Sequence, residues 1–93
     1  MEFTQKELAK LPTPKKKMDL SDPKTAGLVL RLTPGGSRTY YYVYRMGGRD
    51  TPKKWLKVGD FGAVPLVRAQ VLGRAYHAKV DAGIDPAKEI LEA

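Results

Sequence analysis

The chain contains no cysteine, so neither a disulfide framework nor a zinc site with thiolate ligands is available to it. It has a single histidine, His77, and no clustered carboxylates, which leaves nothing to hold a metal and predicts no metal or cofactor. Apolar runs extend only a few residues, too short to span a bilayer, and the N-terminus lacks the apolar segment of a secretory signal. Acidic residues are also scarce, with Asp and Glu totalling 10 against 17 Lys and Arg for a net charge of +7. What remains is one small basic domain of 93 residues, 42% of them hydrophobic. That is enough for a single modest core and too much for a disordered tail. The expectation is a cytoplasmic protein with a polyanionic partner, no membrane attachment and no small-molecule substrate.

The excess charge is unevenly placed. Residues 1–58 carry 13 Lys/Arg and 5 Asp/Glu, whereas residues 59–93 carry 4 and 5. A basic part beside a near-neutral part predicts one charged face and one plain structural element.

Punctuation divides the chain into elements. Thr4 and Glu7 have capping-box spacing, with Phe3 and Leu8 at the staple positions around the cap. A short helix is therefore expected to run through Leu11 and stop before Pro12. Residues 12–17 form an extended basic connector, because Pro12 and Pro14 disfavour helix. Three runs then alternate with a period of two: residues 28–33, 39–46 and 55–58. Pro34-Gly35-Gly36 and Gly47-Gly48 between them are turn chemistry, so the runs read as an antiparallel meander, with Met18 to Leu20 as an optional short edge strand. A final helix spans residues 66–82, with Gly83 at the left-handed cap position and Pro86 blocking continuation. Leu66, Ala69, Gly73, Tyr76 and Val80 make its apolar stripe, with Leu72 beside them. The small residues Ala69 and Gly73 predict close approach to a tyrosine-lined sheet. The fold class is α+β: a three-stranded antiparallel sheet backed by a C-terminal helix, with a short N-terminal helix.

One helix covers one face of such a sheet, and alternation assigns the faces. Leu28, Leu30, Leu32, Tyr40, Tyr42, Tyr44, Leu56 and Val58 should meet the helix. Val29, Arg31, Thr33, Tyr41, Val43, Arg45, Trp55 and Lys57 should face outward. This outer set mixes cations, aromatics and a hydroxyl. Arginine donates paired hydrogen bonds to guanine or phosphate, and a β-ribbon fits the major groove of B-DNA. Arg31, Tyr41, Arg45, Trp55 and Lys57 are therefore the candidate face contacts. Arg38, Arg49, Lys53 and Lys54 are candidate backbone contacts, beside the Lys15–Lys17 tract. Antiparallel sheets commonly leave one face solvated, but an exposed tryptophan argues for a contact.

Catalytic readings are weaker. His77 has no Ser or Cys nucleophile pattern beside it and reads as a surface or boundary histidine. Most of the Tyr40–Tyr44 rings belong to the core face rather than to a nucleophilic cluster. Pro34-Gly35-Gly36-Ser37 joins two strands and opens no helix, so it lacks the mechanism of a phosphate loop. Two binding alternatives remain: a sheet-based RNA module that stacks bases on Tyr41 and Trp55, and a protein-interaction module.

An ordered set of short motifs then carries a resemblance. After the Phe3-Thr4 helix start, Leu20-Ser21-Asp22 precedes Gly27-Leu28-Val29-Leu30-Arg31-Leu32, matching "LSD…GLxLRV". Pro34-Gly35-Gly36-Ser37-Arg38 matches "PxGSK", and Tyr40 to Arg45 followed by Gly48-Arg49 matches "YR…GR". Leu56-Lys57-Val58-Gly59 matches "LxLG", Leu66 to Ala69 starts "LxxAR", and Gly83-Ile84-Asp85-Pro86 matches "GxDP". In this order, over nearly the whole chain, they resemble the N-terminal arm-type DNA-binding domain of phage-like integrases, which are tyrosine recombinases. The chain departs from the pattern at five positions: Gln70 stands for its arginine, Tyr41 and Val43 hold outward positions that are often basic, and Phe61-Gly62 replaces "YP".

The resemblance implies a sheet that enters the major groove of arm-type sites flanking the attachment core. It implies a non-catalytic domain, because the recombinase residues belong to a separate C-terminal domain. The expectation is a single domain over residues 1–93 that forms the N-terminal part of a longer integrase, since a family member would continue past Pro86. The implied partners are double-stranded DNA, other integrase subunits and a directionality factor.

Overall fold

The structure, a computed structural model, describes residues 3–47 and 50–88. In chain order the elements are α1 (Gln5–Ala9), β1 (Met18–Ser21), β2 (Leu28–Leu32), β3 (Arg38–Tyr44), β4 (Lys54–Asp60) and α2 (Leu66–Asp81). The strands form one antiparallel sheet in the order β1-β2-β3-β4. The sheet has four strands, the three of the long alternating runs and the edge strand that Met18 to Leu20 offered as an option. β1 pairs Met18 to Ser21 with Leu32 to Val29, one residue longer than the expected Met18 to Leu20.

The α1 cap forms as expected, with Thr4 Oγ1 accepting from the Glu7 N–H at 3.2 Å. The helix ends at Ala9 rather than running to Leu11. The Lys10 N–H turns back to the Glu7 carbonyl and the Leu11 N–H to the Leu8 carbonyl, and the proline after Leu11 disfavours helical backbone there. β3 likewise stops at Tyr44, short of Met46, ahead of the left-handed turn at Gly47. β4 is longer than its alternating run because Gly59 and Asp60 pair with Tyr40 and Thr39. A bulge between Tyr40 and Tyr41 jumps the register from Gly59 to Lys57 and leaves Val58 without an opposite residue.

The inner face follows the period-two assignment. Leu28, Leu30, Leu32, Tyr40, Tyr42 and Tyr44 are all buried, while Leu56 and Val58 are half-buried toward the sheet edge. Each fully buried leucine contributes about 1.5–3 kcal/mol of transfer free energy. Leu8 of α1 and Leu66 and Ala69 of α2 join the same cluster, so both helices cover one face.

Gly73 is buried where α2 crosses the sheet. A Cβ there would lie 3.0 Å from Thr25 Cγ2 and 3.7 Å from Leu28 Cβ. The close approach is thus to the turn before β2 and to β2 itself, not to the tyrosines. The tyrosine contact comes later on α2, where the Tyr76 and Tyr42 rings lie 5.8 Å apart. His77 is exposed, its Nδ1 3.2 Å from the Tyr42 hydroxyl and its Nε2 3.5 Å from Asp81. Gly83 closes α2 in the left-handed conformation, with the Ile84 N–H bonded to the Lys79 carbonyl at 2.8 Å.

Candidate nucleic-acid interface

The face opposite the helices is built by cross-strand register. Asp19 pairs with Arg31, Arg31 with Thr39, and Thr39 with Asp60. Ser21 pairs with Val29, Val29 with Tyr41, and Tyr41 with Lys57, while Val43 pairs with Trp55. These rows hold the side chains that alternation assigns to the outside.

Three of the expected contacts meet directly. The Arg31 guanidinium lies over the Trp55 ring at 4.1 Å from its centroid and over the Tyr41 ring at 5.4 Å. Tyr41 and Trp55 meet edge to face at 5.7 Å. Such cation–π contacts at exposed sites are worth about 0.5–1 kcal/mol each. The Arg31 side chain thus reaches from β2 across β3 to β4. Under this row Val29 is only 8% exposed, although among the described residues no helix packs on its side of the sheet. Trp55 remains 41% exposed.

A fourth residue, Asp19, completes the row, and alternation does not single it out as a functional position. Asp19 accepts from Arg31 Nε at 2.8 Å and from Nη2 at 3.2 Å. Those hydrogen bonds hold the Asp19 carboxyl below the usual carboxylate range and push the Arg31 guanidinium up from its ordinary value. The signal was the Asp at the centre of the edge-strand segment, but it had no meaning before register placed it opposite Arg31.

The remaining candidates separate. Lys57 is exposed on the outer face beside Tyr41, with Asp60 3.6 Å away, a pairing too solvated to hold it. Arg45 follows β3 and is exposed, as is Lys53 just before β4. Arg49 lies outside the described residues.

Arg38 and Lys54 belong to the helix side. Arg38 Nη1 donates to the Leu8 carbonyl at 3.0 Å and to the Ala9 carbonyl at 3.4 Å, and its Nη2 donates to the Leu11 carbonyl. Lys54 pairs across with Tyr44, and its Nζ donates to Asp85 Oδ2 at 2.7 Å. Charge alone places Arg38 among the backbone contacts. Its parity with Tyr40 already put it on the inner row.

The fold and this face define a small α+β module with one packed face and one open face of cations and aromatics. A family model of the arm DNA-binding domain matches residues 3–93, and the chain belongs to that family, the arm DNA-binding domains of phage integrases. No curated protein matches the chain. Membership brings double-stranded DNA binding as the family's activity. Among the described residues no helix is long and apolar enough to cross a membrane.

Two family positions find their structural reason. Asp22 of the "LSD" segment is 5% exposed, with Oδ1 accepting from the Lys24 N–H and Oδ2 from Gln70 Nε2, both at 2.9 Å. Gln70, which replaces the pattern's arginine, thus ties α2 to the turn before β2. Asp85 of the "GxDP" segment gathers Lys54 Nζ, the Tyr44 hydroxyl at 2.6 Å and the Ala87 N–H at 3.0 Å. It fastens the segment after α2 to the end of the sheet.

Proposed function

We propose that the open face of the sheet enters the major groove of arm-type sites during integrase-directed site-specific recombination. The supporting observation is the row of Arg31, Tyr41 and Trp55 on the uncovered face, with Lys57 beside it. Arg31, Tyr41, Arg45, Trp55 and Lys57 supply the groove contacts. Lys53, just before β4, and Arg49, which precedes it in the sequence, neutralise phosphates. Arg38 is committed to α1 and Lys54 to Asp85, so neither belongs to the contact set.

In this reading residues 1–93 act as one domain at the N-terminal end of a longer, cytoplasmic integrase acting on bacterial DNA. Recombinase chemistry resides in another domain of that protein. Arm binding tethers the core-binding domain and raises its effective concentration at the crossover site. Neighbouring integrase subunits and a directionality factor then meet the domain on its DNA-bound form.

The test is a titration of the chain into random-sequence duplex DNA at several salt concentrations, with Trp55 fluorescence followed and single-stranded RNA as the comparison. Duplex binding with a steep log–log salt slope and a Trp55 change is the expected result. Preference for the RNA, or no duplex binding at low salt, rejects the reading. Arg45→Ala should cost about 1–3 kcal/mol of binding if the side chain reads a base. Unchanged affinity and preference would remove Arg45 from the contact set.

A further inference from the structure

We infer that Asp19 is a specificity-determining residue for DNA: it positions Arg31 so that the free end of the guanidinium reads one guanine. The inference rests on the groove-reading role proposed above for this face.

The geometry of the pair carries the argument. Asp19 takes Arg31 from the side, through Nε at 2.8 Å and Nη2 at 3.2 Å. A guanidinium has five N–H donors, and this pairing leaves both Nη1 hydrogens and one on Nη2. One Nη1 hydrogen and the remaining Nη2 hydrogen point from the free end as the parallel pair that matches O6 and N7 of guanine. The plane is held from a second direction by the Trp55 ring, 4.1 Å from the guanidinium carbon. A long side chain that would otherwise lose much rotamer freedom on binding is already ordered by two independent contacts.

The charge balance points the same way. Asp19 is on the face that would approach phosphate, and its side chain is 35% exposed. A carboxylate there repels DNA and cancels the charge of Arg31. For non-specific affinity its presence is a loss. Orientation of Arg31 is the gain that offsets it, and orientation matters for reading a base more than for neutralising a phosphate.

The experiment begins with selection of the preferred duplex from a random pool by the whole chain. Affinities are then measured for that duplex and for versions in which each G·C pair is changed to A·T. The wild type should lose about five- to hundredfold at one such position. Asp19→Asn should keep its melting temperature, bind random duplex as well as or better than wild type, and lose most of the discrimination at that position. Arg31→Lys keeps the charge but not the paired donors, so it should lose the same discrimination with an unchanged salt slope.

Equal tightening of Asp19→Asn on the preferred and the altered duplexes would make Asp19 a repelling charge only and overturn the inference. So would an Arg31→Lys variant that keeps the preference. A wild type that binds every duplex equally rejects base reading by Arg31 while leaving DNA binding intact. A wild type that binds no duplex rejects the proposed function itself.

Discussion

Arg38 of β3 donates from Nη1 to the Leu8 carbonyl oxygen at 3.0 Å, with the Ala9 and Leu11 carbonyls sharing the same guanidinium. A helix of five residues has little stability of its own, and its last carbonyls have no partners within the helix. Arg38 supplies those partners, while Leu8 is fully buried in the core. At the other end of α1, Gln5 Oε1 accepts from the Leu66 N–H at the start of α2.

Arg38→Ala is therefore expected to act on folding. The loss should be about 1–3 kcal/mol, the range for removing a charged hydrogen-bond partner. Amide exchange should rise in α1 before the rest of the chain, and the salt slope of DNA binding should not change. A slope reduced by about one, with stability intact, would instead return Arg38 to the phosphate contacts.

Gly27→Ala should destabilise the sheet by about 1–3 kcal/mol. Gly27 has φ +82°, and an added Cβ would meet Tyr42 Cε1 at 2.6 Å and the Val43 carbonyl oxygen at 2.8 Å. The backbone has no room to give, because the Gly27 carbonyl accepts from the Val43 N–H at 2.8 Å. Chemical denaturation measures the effect, and an unchanged midpoint would refute it.

Tyr40→Phe should be neutral or stabilising, by up to about 1–3 kcal/mol. The Tyr40 ring is fully buried, and its hydroxyl has no hydrogen-bond partner among the described residues. Removing the hydroxyl ends a desolvation cost while keeping the ring. A lower melting temperature would reveal a bound water that satisfies it.

The Tyr44–Asp85–Lys54 cluster predicts the pH response at both extremes. The Lys54 ammonium, then the Tyr44 hydroxyl, hold the Asp85 carboxyl down to about 2 from 3.8, against the effect of burial. A lowered carboxyl stabilises the fold above its unfolded value, so this contribution fades as pH falls from about 4 through about 2. Burial, then the bond to Asp85, pushes Tyr44 up to about 12 from 10.0. A raised phenol stabilises below its unfolded value, and that contribution is lost as pH rises from about 10 through about 12. Denaturation midpoints of Asp85→Asn against pH should show a flatter acid limb than wild type. Equal limbs would mean that Asp85 has no share in the acid transition.

How far this was legible from residue order differs by element. The Leu28–Leu30–Leu32 and Tyr40–Tyr42–Tyr44 alternations place the inner face, and both sets are buried. Gly83 marks the end of α2, where the structure has a left-handed cap. Parity also held information that a count of charges obscured, since Arg38 shares the row of Tyr40. By contrast, the partner of Lys54 lies 31 residues away in sequence, and no spacing rule selects it. The bulge opposite Tyr40 and Tyr41 was hidden because Val58 continues the period of two.

Periodicity and turn chemistry are properties of short stretches of backbone, so residue order alone was enough for the class of fold, the two faces of the sheet and the family. What each cation is bonded to depends on what other segments bring within hydrogen-bond distance. Arg38 goes to α1, Lys54 to Asp85, and Arg31 to Asp19 and Trp55. A charge has no partner until distant strands and helices share one surface, and only the tertiary structure makes that assignment.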